Sequence, residues 1–128
     1  MAKPMAREEF PPVADSVGVA RRWAVATLGL DGRAAEDVGI LVSELVTNSV
    51  LHAGLVDDAR IVVEVGRAAR GGCRIVVCDD GGRFRLKSAA AARRQGGRGL
   101  KIVAALSTDW GVDHDGITRV WVTYDPPA

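Results

Sequence analysis

The sequence predicts an α/β (α+β) two-layer sandwich, with a mixed, mostly antiparallel sheet and helices on one face only. Three observations carry this. Two helical patterns open the chain. Two strand-like runs joined by a tight turn occupy its middle. A second such pair closes it, after a short apolar helix.

The first helix begins near Asp15 or Ser16, either of which can cap it, and buries Val17, Ala20, Trp23, Ala24 and Leu28. Gly29 to Gly32 ends it. The second helix spans 34–53. Its apolar positions Val38, Leu41, Val42, Leu45 and Val46 recur at three and four, and Gly54 is a natural stop. Residues 60–66 alternate, with Ile61, Val63 and Val65 on one face. Arg70-Gly71-Gly72 is a turn. Residues 73–79 are apolar on both faces, which predicts a central strand. Residues 80–97, rich in glycine, arginine and alanine, read as a long loop. Such loops are uncommon in compact domains without a use. A short helix over 100–106 precedes a hairpin of 110–113 and 117–124. Residues 1–12, with Pro4, Pro11 and Pro12, read as a tail or edge strand, and 13–128 as one domain.

The 128 residues amount to about one domain, and 48% hydrophobic content supports a core. With 17 basic and 16 acidic residues, the chain lacks the charge excess of a direct nucleic-acid or polybasic membrane binder. No apolar run approaches the roughly 20 residues that span a bilayer, and the N-terminus lacks a signal-peptide centre. A cytoplasmic location is expected. Cys73 and Cys78 stand five apart on one strand, so they face opposite ways and are expected to be buried free thiols.

Three clusters can carry chemistry. Glu44, Asn48 and His52 stand four apart on the long helix and form one polar stripe. A carboxylate there can act as general base, and an amide oxygen is a hard ligand suited to Mg²⁺. The plain alternative is a solvated helix face. Asp79-Asp80-Gly81-Gly82 ends the central strand. A carboxylate there can accept from an exocyclic amine, and Gly81 permits close approach to a flat ring; an ordinary turn has the same composition. Gly96-Gly97-Arg98-Gly99-Leu100 precedes a helix. Exposed N–H groups at a helix start favour anions, though a plain loop-to-helix turn fits too. It is neither a Walker A loop nor a dinucleotide fingerprint.

In this order and at these separations, the three clusters resemble the ATP site of the gyrase/histidine-kinase superfamily (the Bergerat fold). The nearest resemblance is to its anti-sigma-factor serine/threonine kinase branch. The phrases are Glu44-Leu45-Val46-Thr47-Asn48-Ser49-Val50-Leu51-His52-Ala53, Val77-Cys78-Asp79-Asp80-Gly81 and Gly97-Arg98-Gly99-Leu100-Lys101-Ile102-Val103. Trp110-Gly111-Val112 and Thr118-Arg119-Val120-Trp121 fit as well, and the resemblance covers about residues 16–124. It implies ATP and Mg²⁺ as cofactors, with Asn48 holding the metal and Glu44 as catalytic base. Asp79 would read the adenine amino group beside Gly81. Gly97, Arg98, Gly99 and Leu100 would sit at the phosphates, residues 82–96 would form the ATP lid, and Thr118 would lie near adenine. His52 extends the stripe as a structural hydrogen-bonding residue or a phosphate contact.

The implied function is an anti-sigma factor that phosphorylates an anti-anti-sigma (STAS-type) protein and also holds a sigma factor, with a homodimer possible. The alternative is an ATP-gated protein-binding module without significant kinase activity. One departure concerns the rate of transfer more than binding: where the family often has glycine, two residues after Gly81, this chain has Arg83. A protein that has lost nucleotide binding is a third reading, opposed by the joint presence of Glu44, Asn48, Asp79, Gly97 and Gly99. Trp121, on the sheet face away from the helices, marks with Arg119 a partner or dimer surface, or else is covered by the N-terminal tail. His114 reads as a surface turn residue, and Trp23 as core.

Overall fold

The computed structural model describes residues 5–53, 60–79, 98–114 and 118–127. The long loop expected over 80–97, with the ATP lid, Arg83, Gly81 and Gly97, lies outside them.

The elements are β1 (Ala6–Phe10), α1 (Asp15–Leu28), α2 (Gly32–Ala53), β2 (Ile61–Arg67), a short 3₁₀ turn, β3 (Cys73–Asp79), α3 (Arg98–Leu106), β4 (Asp109–His114) and β5 (Thr118–Tyr124). The sheet order is β1-β2-β3-β5-β4, and β3 is central, as its two apolar faces predict. Every pairing among the described strands is antiparallel, so the sheet is antiparallel throughout rather than mixed. The N-terminal segment is an edge strand, with Phe10 opposite Ile61. The second hairpin runs longer than expected: His114 is the last residue of β4, opposite Thr118, rather than part of the turn.

Strand alternation assigns the two faces of the sheet. Ile61, Val63 and Val65 of β2, Cys73, Ile75 and Val77 of β3, and Val122 and Tyr124 of β5 are buried in the main core. They meet Ala20, Ala24 and Leu28 of α1, Val38, Leu41, Val42, Leu45 and Val46 of α2, and Val103 of α3. Each of the buried valine, leucine and isoleucine side chains contributes roughly 1.5–3 kcal/mol of transfer free energy. Trp23 packs on this core and meets Phe10 edge-on, with ring centroids 6.0 Å apart.

The opposite face carries a small cluster of Val62, Val76 and Cys78, against which Met5 and Trp121 pack. The Arg74 guanidinium lies 5.2 Å from the Trp121 ring centroid. Met5 brings the N-terminal segment onto this face, while Trp121 stays half-buried. The two cysteines thus face opposite ways, and both are free and buried. Burial pushes the Cys73 thiol up to about 11. It raises Cys78 as well, against the opposing effect of Arg119 beside it.

Helix ends are fixed differently from the sequence reading. Neither Asp15 nor Ser16 caps α1; the N-cap is Ala14, without a side-chain bond. The Ser16 hydroxyl instead donates to the Pro11 carbonyl at 2.6 Å, tying the helix to the end of β1. At the other end Gly29 adopts φ 65°, a left-handed cap that glycine takes at little cost. The Gly29 and Leu30 N–H groups donate to Ala26 and Val25 carbonyls, both at 3.1 Å. The Arg67 guanidinium adds a bond to the Leu28 carbonyl. The last helix starts at Arg98, two residues before the expected boundary.

One long-range contact seats α2 on the sheet. The Tyr124 hydroxyl donates to Asp37 Oδ2 at 2.7 Å, and Arg33 Nε donates to Asp37 Oδ1 at 3.0 Å. Tyr124 is 1% exposed. Burial and the Asp37 carboxylate hold its phenol up at about 12, against an ordinary value of 10.0. Tyr124→Phe should cost about 1–2 kcal/mol at neutral pH, read by urea denaturation. The fold favours the neutral phenol. This contribution is therefore complete below pH 10 and disappears as pH rises through about 12. The variant should lack that alkaline component of the stability profile.

Candidate nucleotide site

The polar stripe of α2 begins on the helix face turned away from the main core. Glu44 and Asn48 are half-buried, one turn apart, between the buried Leu41, Leu45 and Val46 and the solvent-facing residues. Ser49 is buried beside them, at 8% exposure. His52 lies in the last turn of α2, and its side chain falls outside the described residues.

Asp37 of α2 is bonded to Tyr124, the last residue of β5. At the other end of β5, Thr118 stands directly opposite Asp79. Asp79 is 5% exposed, the last residue of β3, and faces the helices. Asp79 already has an interaction within the protein. Thr118 is half-buried. Ile61 and His114 complete this rung on either side.

Helix α3 packs against α2 and is anchored in the core by Val103. Arg98, Gly99 and Leu100 form its first turn, where the backbone N–H groups lack partners within the helix. Their side chains, Gly97 and Gly81 lie outside the described residues. Lys101, the next residue, is exposed.

Asp79 and Thr118 thus stand side by side at one end of the sheet, and Glu44 and Asn48 stand one turn apart on α2. The donor chemistry suits a magnesium nucleotide: an amide oxygen and a carboxylate on the helix, a buried carboxylate and a hydroxyl on the sheet, and a helix start nearby. Among the described residues no group of three or more His, Cys, Asp or Glu side chains forms a metal cluster.

The family model for the histidine kinase-like ATPase domain matches residues 10–124. The chain belongs to the histidine kinase-like ATPase family. Among solved structures, the chain is similar to the RsbU and RsbW domains of Rv1364c from Mycobacterium tuberculosis. The TM-score is 0.67 and the identity 25%, over 98% of this chain and 34% of that one. This chain therefore spans about a third of that structure. A second similarity, of fold alone, is to the histidine kinase domain of the Erythrobacter litoralis EL346 blue-light activated histidine kinase. There the TM-score is 0.58 and the identity 20%, covering 97% of this chain and 69% of that one. Among curated protein sequences, none matches significantly. Membership in this ATPase family implies ATP binding. No helix among the described residues is long and apolar enough to cross a membrane.

Sequence reasoning passed over two features near the site. Arg21 and Arg22 line a groove that reaches Glu44, and nothing in the local pattern of α1 marks them. Asp37 stands four residues after Arg33, a visible pair, but its bond to Tyr124 crosses 87 positions.

Asn48 is half-buried and no described contact anchors it, while asparagine is a poorer helix former than alanine. Asn48→Ala should therefore leave the ligand-free protein as stable as wild type, or more stable by about half a kcal/mol. A denaturation midpoint lowered by more than about 1 kcal/mol would reveal a structural role.

Proposed function

We propose that this protein is a Mg-ATP-dependent serine/threonine protein kinase acting as an anti-sigma factor. It would phosphorylate an anti-anti-sigma, STAS-type protein and hold a sigma factor as its other partner. What supports this reading is Asp79 paired with Thr118 at a strand end, and Glu44 and Asn48 one turn apart on α2, in a member of an ATPase family. Similarity to a structure containing an RsbW domain supports the regulatory branch over a sensor kinase.

In this reading the Asn48 side-chain oxygen is a magnesium ligand, and Asp79 accepts from the adenine amino group, with Thr118 beside it. The first turn of α3 offers N–H groups to the phosphates. Bound Mg-ATP supplies an activated γ-phosphoryl group whose charge the metal neutralises. Glu44 takes the proton from a serine or threonine hydroxyl as that oxygen forms its bond to phosphorus. The bond to the β-phosphate oxygen breaks, and ADP leaves. Positioning and charge neutralisation dominate such a reaction, so correct seating of α2 matters as much as the base itself. The half-buried Trp121 and Arg119 on the other sheet face would contribute to the surface of a homodimer.

Calorimetric titration should show ATP heat that depends on Mg²⁺ in wild type and is lost in Asn48→Ala. Glu44→Ala should keep most of the binding and lower phosphate incorporation into the partner by at least a hundredfold. Equal loss of binding and transfer would remove Glu44 from the role of base. Intact binding with no transfer to any neighbour-encoded partner would leave an ATP-gated binding module.

A further inference from the structure

Among the described residues four polar side chains are buried: Ser16, Asp37, Ser49 and Asp79. Three of them have partners. Ser16 donates to the Pro11 carbonyl, Asp37 accepts from Tyr124 and Arg33, and Asp79 has an interaction within the protein. Ser49, at 8% exposure, makes no hydrogen bond among the described residues. A buried hydroxyl without a partner is costly, and nearly all find one. A serine in a helix has a partner at hand, the carbonyl four residues earlier. Ser43 takes that bond to Gly39 at 2.8 Å, and Ser107 takes it to Val103 at 2.6 Å. Ser49 has the Leu45 carbonyl in the same relation and does not use it. Its hydroxyl therefore stays free for a group from outside the helix.

Ser49 stands on the core side of α2. It follows Val42 by seven residues, Leu45 by four and Val46 by three, and all three of these are fully buried. From Asn48, its chain neighbour, it is rotated by roughly 100° toward the core. Helix α2 packs against β3. The two elements begin at the same end of the sandwich, because Asp37 is bonded to Tyr124 and Tyr124 stands opposite Cys73, the first residue of β3. Beyond Asp37 the core-facing positions of α2 are apolar as far as Val46, and then comes Ser49. Those of β3 are apolar as far as Val77, and then comes Asp79. Each of the two facing walls thus turns polar late in its run.

A carboxylate accepts hydrogen bonds and cannot donate them, whereas a serine hydroxyl can do either. The edge of adenine carries an amino group, which donates, and beside it a ring nitrogen, which accepts. Asp79 can satisfy the first and not the second. We propose that Ser49 is a base-reading residue of the nucleotide site, with its hydroxyl donating to the ring nitrogen beside the amino group held by Asp79. This rests on the reading of Asp79 as the residue that accepts from adenine. The hydroxyl gains its partner only when nucleotide is bound, so the bond contributes to binding and not to the stability of the ligand-free protein.

The test is calorimetric titration of wild type and Ser49→Ala with three magnesium nucleotides: ATP, 1-deaza-ATP, in which a C–H replaces that ring nitrogen, and purine riboside triphosphate, which lacks the amino group. Wild type should bind 1-deaza-ATP about tenfold more weakly than ATP, the loss of one hydrogen bond. Ser49→Ala should bind ATP about tenfold more weakly than wild type and no longer distinguish it from 1-deaza-ATP. Both proteins should discriminate equally against the nucleotide without the amino group, since Asp79 is intact. The denaturation midpoint of ligand-free Ser49→Ala should equal or exceed that of wild type, because no bond is removed. If Ser49→Ala binds ATP as wild type does, or still discriminates against 1-deaza-ATP, Ser49 does not read the base. A lowered midpoint with all three nucleotides weakened equally would make the residue structural and overturn the proposal. If wild type ignores the amino group but loses its 1-deaza discrimination in Ser49→Ala, Ser49 stands and the role of Asp79 falls. If wild type gives no heat with Mg-ATP, the nucleotide reading itself falls and Ser49 with it.

Discussion

The buried hydrogen bond from Tyr124 to Asp37 sets the position of α2 on the sheet. Van der Waals packing of Val38, Leu41, Val42, Leu45 and Val46 holds the helix down but tolerates sliding. A directional bond at 2.7 Å between the end of the last strand and the start of the helix fixes its level. Because α2 is 22 residues long and rigid, that level is transmitted to Glu44 and Asn48. Arg33 completes the arrangement from one helical turn earlier, so Asp37 is buried with two donors rather than as an uncompensated charge.

The two faces of the sheet have different work. One is covered by three helices and closes the core. The other is covered by its own side chains: Trp121 lies against Val62, Val76 and Cys78, Arg74 lies over the ring, and Met5 adds the N-terminal edge. Long side chains can shield apolar strand residues in this way while keeping charge at the rim. Burial also removes Cys78 from ordinary thiol chemistry, since it disfavours the thiolate.

The groove and the nucleotide end of the sandwich meet at Glu44. The helix pair α1 and α2 thus serves two surfaces: its inner face builds the core, and its outer face borders the groove. Glycine is used where α1 and α2 crowd their arginines. Gly39 is buried, and a Cβ there would stand 3.4 Å from the Arg21 side chain. Such spacing keeps the guanidinium groups close to the helix surface.

Periodicity alone determined the order of the elements, the central position of β3, the helix-facing residues of β2 and β5 and the opposite orientation of Cys73 and Cys78. These follow from local repeats of two and 3.6 residues, which the chain carries without help from tertiary structure. The stripe of Glu44, Asn48 and His52 was legible for the same reason, and its family resemblance was legible from motif order. Helix ends were less so: Ser16 has the composition of a cap but spends its hydroxyl on Pro11, because the end of β1 stands where only the folded chain puts it. The seating of α2 through Asp37 and Tyr124, and the gathering of Arg21 and Arg22 on one groove with Glu44, were decided by tertiary structure alone. Both depend on contacts between residues far apart in sequence, and no local pattern encodes which distant partner a buried carboxylate or an exposed guanidinium will meet.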